Sequence, residues 1–197
     1  MGGALITFGG LAGALKLSAG SSEDIRNNPV PLPSQQNQEL KRPLKAPAII
    51  VYKSKRQLDL YADGAVVRTY RVGLGFNPVD DKQREGDGCT PEGDFYIFTK
   101  NEKSAYYLSL GLSYPNTEDA ERGLRGRLVS KSQYDEIVKA IQRRKMPPQY
   151  TPLGGLIYIH GNGAQSDWTW GCVALENRDI RELFDSVSVG TPVTIKP

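Results

Sequence analysis

Residues 155–161 read Gly-Leu-Ile-Tyr-Ile-His-Gly, and residues 170–175 read Trp-Gly-Cys-Val-Ala-Leu. The first run is apolar and β-branched and ends at a glycine, the pattern of a short buried strand. On a strand, Leu156, Tyr158 and His160 share one face while Ile157 and Ile159 share the other. The second run carries Cys172 at the head of another apolar segment, twelve residues beyond His160. Between them lies Gly-Asn-Gly-Ala-Gln-Ser-Asp-Trp-Thr, residues 161–169, a polar and glycine-bearing return. A strand ending in His, a returning loop and a Cys on the next element bring imidazole and thiol within reach of each other.

That pairing has chemical content. A free thiol is mostly protonated at neutral pH, and the thiolate is the nucleophile. A neighbouring imidazole can take the thiol proton and later return it to a leaving amine. Gly171 lets the backbone approach a substrate closely and turn N–H groups towards a developing oxyanion. Two other readings of the same residues stand beside this one: an inert core Cys172, and a His160 satisfied structurally within its strand.

Outward from these segments the pattern is strand-rich. Ile49 to Val51 with Leu58 and Leu60 alternates as one half-buried strand. Asp63-Gly64 supplies a hairpin turn, and Val66, Tyr70, Val72 and Leu74 form the return strand. A Gly- and Asp-rich loop spans 75–93 and leads to a strand at Phe95 to Thr99. Further strands are expected at Leu156 to Gly161 and Pro192 to Ile195. Tyr134, Ile137, Val138 and Ile141 repeat at helical spacing behind Ser130 or Ser132, with Pro147-Pro148 expected to end the helix. Ile180, Leu183, Phe184 and Val187 repeat likewise behind an expected Asn177 cap. The fold class is therefore mainly β with added helices, and no period of a solenoid or propeller is present.

Composition limits the chemistry. The chain has 197 residues, enough for one domain with extra length at an end. With 25 Lys and Arg against 22 Asp and Glu, net +3, and no basic cluster beyond Arg143 to Lys145, a nucleic-acid binder is not expected. Two cysteines and one histidine are too few for an ordinary zinc site. No cofactor or metal is expected, since a nucleophile and a base suffice. Ala4 to Leu15 is uncharged and mostly Ala, Leu and Gly, so that 1–20 suits a signal or anchor remnant or a tail, and 21–45 read as a Pro-rich polar linker. The folded domain is expected over 46–197.

The motifs resemble the L,D-transpeptidase catalytic domain family of the YkuD type. Ile159-His160-Gly161 followed by Asp167-Trp168-Thr169-Trp170-Gly171-Cys172 is similar to the family's His-Gly and Ser/Thr-His-Gly-Cys signature. Gly86-Asp87, Thr90-Pro91 and Gly93-Asp94-Phe95 resemble its upstream element, residues 55–61 its first strand, and Leu108 to Asn116 the Ser-Tyr-Pro-Asn segment of one branch. The resemblance implies a mixed β-sandwich and a cysteine acyltransferase acting on peptidoglycan stem peptides. Cys172 would form a thioester, and His160 would act as general acid/base. Gly161 would hold the imidazole through its carbonyl, and Gly171 with Cys172 would offer oxyanion donors. The acyl group would pass to an amine or to water. A same-fold hydrolase, acting on stem peptides or on a wall-attached lipoprotein, and a non-catalytic wall-binding module are the alternatives.

Two positions depart from the family: its second His is Trp170, and its Arg or Asn two residues past the Cys is Ala174. The Asp-Trp-Thr-x-Gly-Cys form resembles a Gram-negative branch with amidase-like members. Tyr158, Asp167, Trp168 and Trp170 are the candidate substrate-binding residues. Trp168 reads equally as a core anchor and Asp167 as a turn or cap residue, whereas Trp170 is expected mainly to pack, with shielding of a thioester from water as the alternative. Tyr106, Tyr107 and Tyr114-Pro115-Asn116 are expected by resemblance to wall the cleft. Arg122, Arg125 and Arg127 read as a flexible basic stretch, solvated or facing substrate carboxylates. Cys89 reads as an unpaired surface or half-buried thiol, with a bridge to Cys172 as the alternative. The resemblance further implies a periplasmic or other extracytoplasmic location. A monomer is expected, with membrane association through the N-terminus as an option.

Overall fold

The computed structural model describes residues 40–197. The expected leader over 1–20, and the linker as far as residue 39, lie outside the described residues. The last part of that linker belongs to the folded body. Leu40 and Leu44 pack against the main core, Lys45 pairs with Asp63, and Arg42 pairs with Asp185.

Eight strands occur among the described residues: β1 (Ala48–Tyr52), β2 (Gln57–Ala62), β3 (Ala65–Arg71), β4 (Gly93–Ser104), β5 (Tyr107–Leu112), β6 (Tyr158–His160), β7 (Val173–Ala174) and β8 (Pro192–Lys196). Three helices join them: α1 (Thr117–Arg125), α2 (Lys131–Gln142) and α3 (Asn177–Ser186). The strands form one sheet in the order β3-β2-β1-β8-β4-β5-β6-β7. Only β1 with β8 and β6 with β7 are parallel. The twelve-residue β4 pairs with β8 through its first residues and with β5 through the rest, so it carries the sheet around a bend. Beyond β3, Gly73 exchanges two backbone hydrogen bonds with Ala174 of β7, at 2.9 and 2.8 Å. These bonds close the curled sheet upon itself around a core that includes Val51, Leu60, Leu74, Leu110, Ile159 and Val173.

The Ile49 to Leu60 alternation is folded back rather than continuous. A 3₁₀ turn at Lys53–Lys55 with Arg56 in the left-handed region separates β1 from β2. Lys53 sits in this turn with its ammonium drawn inward to Glu92 and to the carbonyls of Asp80 and Thr90. Asp63 and Gly64, at φ 50° and 81°, form the expected two-residue turn, with Ala62 facing Ala65. A register shift at Leu60/Tyr61 leaves Val66 exposed and turns Arg68 and Tyr70 to a shared carboxylate, Glu182 of α3.

The basic stretch at 122–127 was expected to be flexible, but Arg122 and Arg125 lie on α1. Asn116 caps this helix and Asp119 returns a bond to the Asn116 N–H, a full capping box. Arg122 is tied to Asp119, Asp81 and the Lys82 carbonyl. The tyrosine and asparagine expected at a cleft wall serve the core here. Tyr114 is fully buried and donates to the Leu153 carbonyl, while Asn116 is spent on the cap.

Ser130 and Gln133 cap α2 in the same reciprocal way. This helix ends at Gln142, before the prolines. Arg144 is left-handed, its N–H reaching the Ile141 carbonyl and the Lys145 N–H the Ala140 carbonyl. That is a Schellman termination achieved without glycine. Helix α3 starts one residue earlier than expected: Glu176 is the cap position and Asn177 the first helical residue. Ile180, Leu183 and Phe184 of α3 are buried against the sheet.

Candidate active site

The site forms where β6 and β7 run side by side at the end of the sheet. Their register sets Ile159 beside Val173, both buried in the core. The period of two then turns Tyr158, His160 and Cys172 to the opposite face. There they line one cleft of about 510 Å³ together with Leu156, Ser109, Tyr106, Trp168, Thr169 and Trp170. Tyr158 and His160 thus share a strand face as expected, whereas Leu156 lies before the strand, at φ 55°, and still reaches the same space as the thiol.

His160 is 3% exposed, and its environment selects one tautomer. Nδ1–H donates to the Gly161 carbonyl at 2.7 Å, which leaves Nε2 as the acceptor. The Tyr106 ring lies over the imidazole at 4.6 Å between centroids, and Trp168 meets it edge-on at 5.6 Å. Burial lowers the imidazole pKa below its ordinary 6.5, with the Gly161 bond opposing. The ring therefore rests neutral.

Cys172 is held just as closely. Its Sγ accepts the Tyr158 N–H at 3.4 Å and donates to the Leu156 carbonyl at 3.5 Å. Burial pushes the thiol pKa up to about 11, although the Tyr158 N–H opposes this. At neutral pH the cleft thus holds a neutral thiol and a neutral imidazole. Alkylation of Cys172 by iodoacetamide should accordingly keep rising with pH through the neutral range and level off only near pH 11. Stopped-time mass mapping of the modified peptide measures this. A plateau below pH 7 would instead mean a preformed thiolate–imidazolium pair.

The connection between the two residues is pinned from outside. Asp167 accepts Arg56 Nε and Nη2 at 3.0 and 2.8 Å and the Leu74 N–H at 2.9 Å. It is therefore a strut between the loop and the start of the sheet, away from the cleft, and not the expected cleft-lining residue. Asn177 Oδ1 holds the Asn162 N–H, and Glu176 Oε1 the Ala164 N–H. Gly171 has φ 125°, and a Cβ there would stand 2.6 Å from the Cys89 carbonyl oxygen, so only glycine fits. Its N–H is occupied by Thr169 Oγ1 at 3.1 Å, and the Thr169 hydroxyl donates to the Cys172 carbonyl at 2.7 Å. In this structure Gly171 shapes the turn and does not offer the oxyanion donor expected of it.

The two tryptophans separate. Trp168 lines the cleft beside His160, its Nε1 donating to the Gly163 carbonyl, and is no core anchor. Trp170 was expected mainly to pack. It is 70% exposed at the cleft rim, touching Phe76 edge-on at 4.8 Å. Trp170→His should therefore cost no more than about 1 kcal/mol in urea unfolding, the size of one aromatic contact. A loss several times larger would restore the packing role. Ala174 is fully buried against Gly73, which leaves no room for the arginine that the family often carries there.

Thr169, Ser109 and Arg56 were not singled out from the sequence. Thr169 had a local signal, a hydroxyl three residues before the thiol, whereas Arg56 lies 111 residues from its partner. Cys89 is buried rather than superficial, its Sγ accepting from Asn77 Nδ2 at 3.2 Å. Both cysteines are free thiols. Among the described residues no group of three His, Cys, Asp or Glu side chains could hold a metal ion. No helix among them is long and apolar enough to cross a membrane.

The curled, mainly β sheet with three helices is a fold shared with solved structures. The helical cell shape determining protein Pgp2 from Campylobacter jejuni superposes with TM-score 0.52 at 24% identity, covering 77% of this chain and 48% of that one. An L,D-transpeptidase from Mycobacterium smegmatis gives TM-score 0.46 at 12% identity, covering 77% and 59%. The chain thus spans about half the length of these proteins. A search of curated proteins found no match. The model of the YkuD L,D-transpeptidase catalytic domain matches residues 46–195, and the chain belongs to that family.

Proposed function

We propose that this domain is a cysteine acyltransferase that acts on peptidoglycan stem peptides outside the cytoplasmic membrane. The observation that carries the reading is one cleft lined by both Cys172 and His160, the latter with Nε2 left free by the Gly161 bond. His160 takes the thiol proton as Sγ attacks the stem-peptide carbonyl. The C–N bond breaks, the proton passes to the departing amine, and a Cys172 thioester remains. An incoming amine, or water, gives up a proton to His160 as it attacks, and the thiol is restored. The Cys172 N–H is the oxyanion donor in this scheme, because the Gly171 N–H is held by Thr169. Tyr158, Trp168 and Trp170 contact the peptide along the cleft.

Incubation with a purified stem tetrapeptide, acid quench and peptide mapping tests the reading. Mass added at Cys172 as a base-labile acyl group is the expected result. No adduct, together with unchanged muropeptide profiles from treated sacculi, would refute it and leave a wall-binding module. The same profiles separate new cross-links from trimmed stems, and so transfer from hydrolysis.

A further inference from the structure

The charge on the cleft wall carries one inference more. Among the described residues lining the cleft there is no aspartate or glutamate, and Lys103 is the one permanent cation. Lys103 lies in the part of β4 where the register with β5 shifts, between Asn101 and Ser104. Lys100 turns to α3, where its ammonium donates to the carbonyls of Phe184 and Val187, and Glu102 lies on that same side. Asn101 and Lys103 both line the cleft. The Lys103 N–H is fastened to Asn101 Oδ1 at 2.9 Å, so the two residues stand together. The Lys103 ammonium forms no ion pair among the described residues, whereas Lys45, Lys53, Lys82 and Lys131 each have a carboxylate. A lone ammonium in a cleft free of negative charge favours an anionic ligand group, and the neutral resting thiol and imidazole add no competing charge.

We propose that Lys103, with the Asn101 side chain beside it, is the carboxylate-binding subsite of this cleft and selects acyl donors that carry a free carboxylate near the scissile bond. The inference deepens the functional reading above and rests on it for the identity of that carboxylate, which would belong to the stem peptide. Amidation of the carboxylate would weaken binding to this wall and leave the chemistry at sulfur unchanged.

The test needs no peptide substrate. Iodoacetate and iodoacetamide alkylate the same Cys172 sulfur by displacement of iodide, and they differ in one negative charge. The ratio of their rates at Cys172, followed by peptide mapping at low ionic strength, reports the field at the thiol. Lys103→Gln should lower the iodoacetate-to-iodoacetamide ratio by about three- to tenfold, as expected for one charge roughly 6 Å from the incoming carboxylate at an effective dielectric constant of about 40–80. Lys103→Arg should preserve the ratio, and added salt should erase the difference. A ratio equal in the parent and in Lys103→Gln overturns the proposal. Failure of the peptidoglycan reading would appear elsewhere, as absent acyl-enzyme and unchanged sacculi, with the alkylation ratio still able to stand.

Discussion

If the proposed acyl transfer holds, replacing Cys172 with alanine should bring turnover of stem peptides to the uncatalysed background, and replacing His160 with alanine should lower it by roughly 10²–10⁴. The two losses differ because the sulfur is the atom that bonds to the acyl group, whereas the imidazole assists a proton transfer that solvent can partly supply. His160→Gln separates position from chemistry. A glutamine amide can still donate towards the Gly161 carbonyl, which lies 2.7 Å from Nδ1, but it cannot accept and return a proton. Its rate should therefore fall with that of alanine. If His160→Gln kept near-normal turnover, the imidazole would be a structural spacer and the base would have to be sought elsewhere. The acid limb of the parent profile follows from the same site. Burial holds the imidazole pKa below 6.5, so the neutral base persists down to that range and activity falls only at lower pH.

Gly171→Ala is expected to damage stability and activity together. The backbone at this position sits at φ 125°, where an L side chain is strained, and the added Cβ would stand 2.6 Å from the Cys89 carbonyl and 3.1 Å from Ile157 Cδ1. Backbone strain of this kind costs about 1–3 kcal/mol before any clash is counted. Relief requires the 169–172 turn to move, which would disturb the Thr169 bonds to Gly171 and Cys172 and shift the thiol from the Tyr158 N–H. Urea unfolding with turnover measured on the same sample checks both effects. Unchanged stability and unchanged rate would mean that the Cys89 loop yields without cost, and that the turn does not position the nucleophile.

Several elements around Cys172 and elsewhere in the fold were legible from sequence because their signals are local. A β-branched run ending in His-Gly, a glycine before cysteine, an Asp-Gly turn and a helical period behind Ser130 all act over a few residues. The turn and the Ser130 helix appear at their expected places, while the strand expected over Leu156 to Gly161 is shortened to Tyr158–His160 because Leu156 is left-handed at φ 55°. The misreadings have the opposite character. Ile49 to Leu60 keeps an even alternation, yet the chain reverses at Lys53 because Glu92 and two distant carbonyls receive its ammonium. Helix α1 did carry a local sign, Asn116 three residues before Asp119, but its glycines and arginines masked it.

What the sequence determined by itself is the pair of reactive side chains, one thiol and one imidazole, and the alternation of the segments that bring them to one cleft. Tertiary structure alone decided how that pair is held. Arg56 anchors Asp167 across 111 residues, Tyr106 covers the imidazole, and Trp170 is left at an exposed rim. It also decided the protonation states, since burial raises the thiol pKa and lowers that of the ring. The reason is physical: periodicity and turn chemistry are written in neighbouring residues, whereas desolvation and long-range pairing exist only once distant segments have closed on one another.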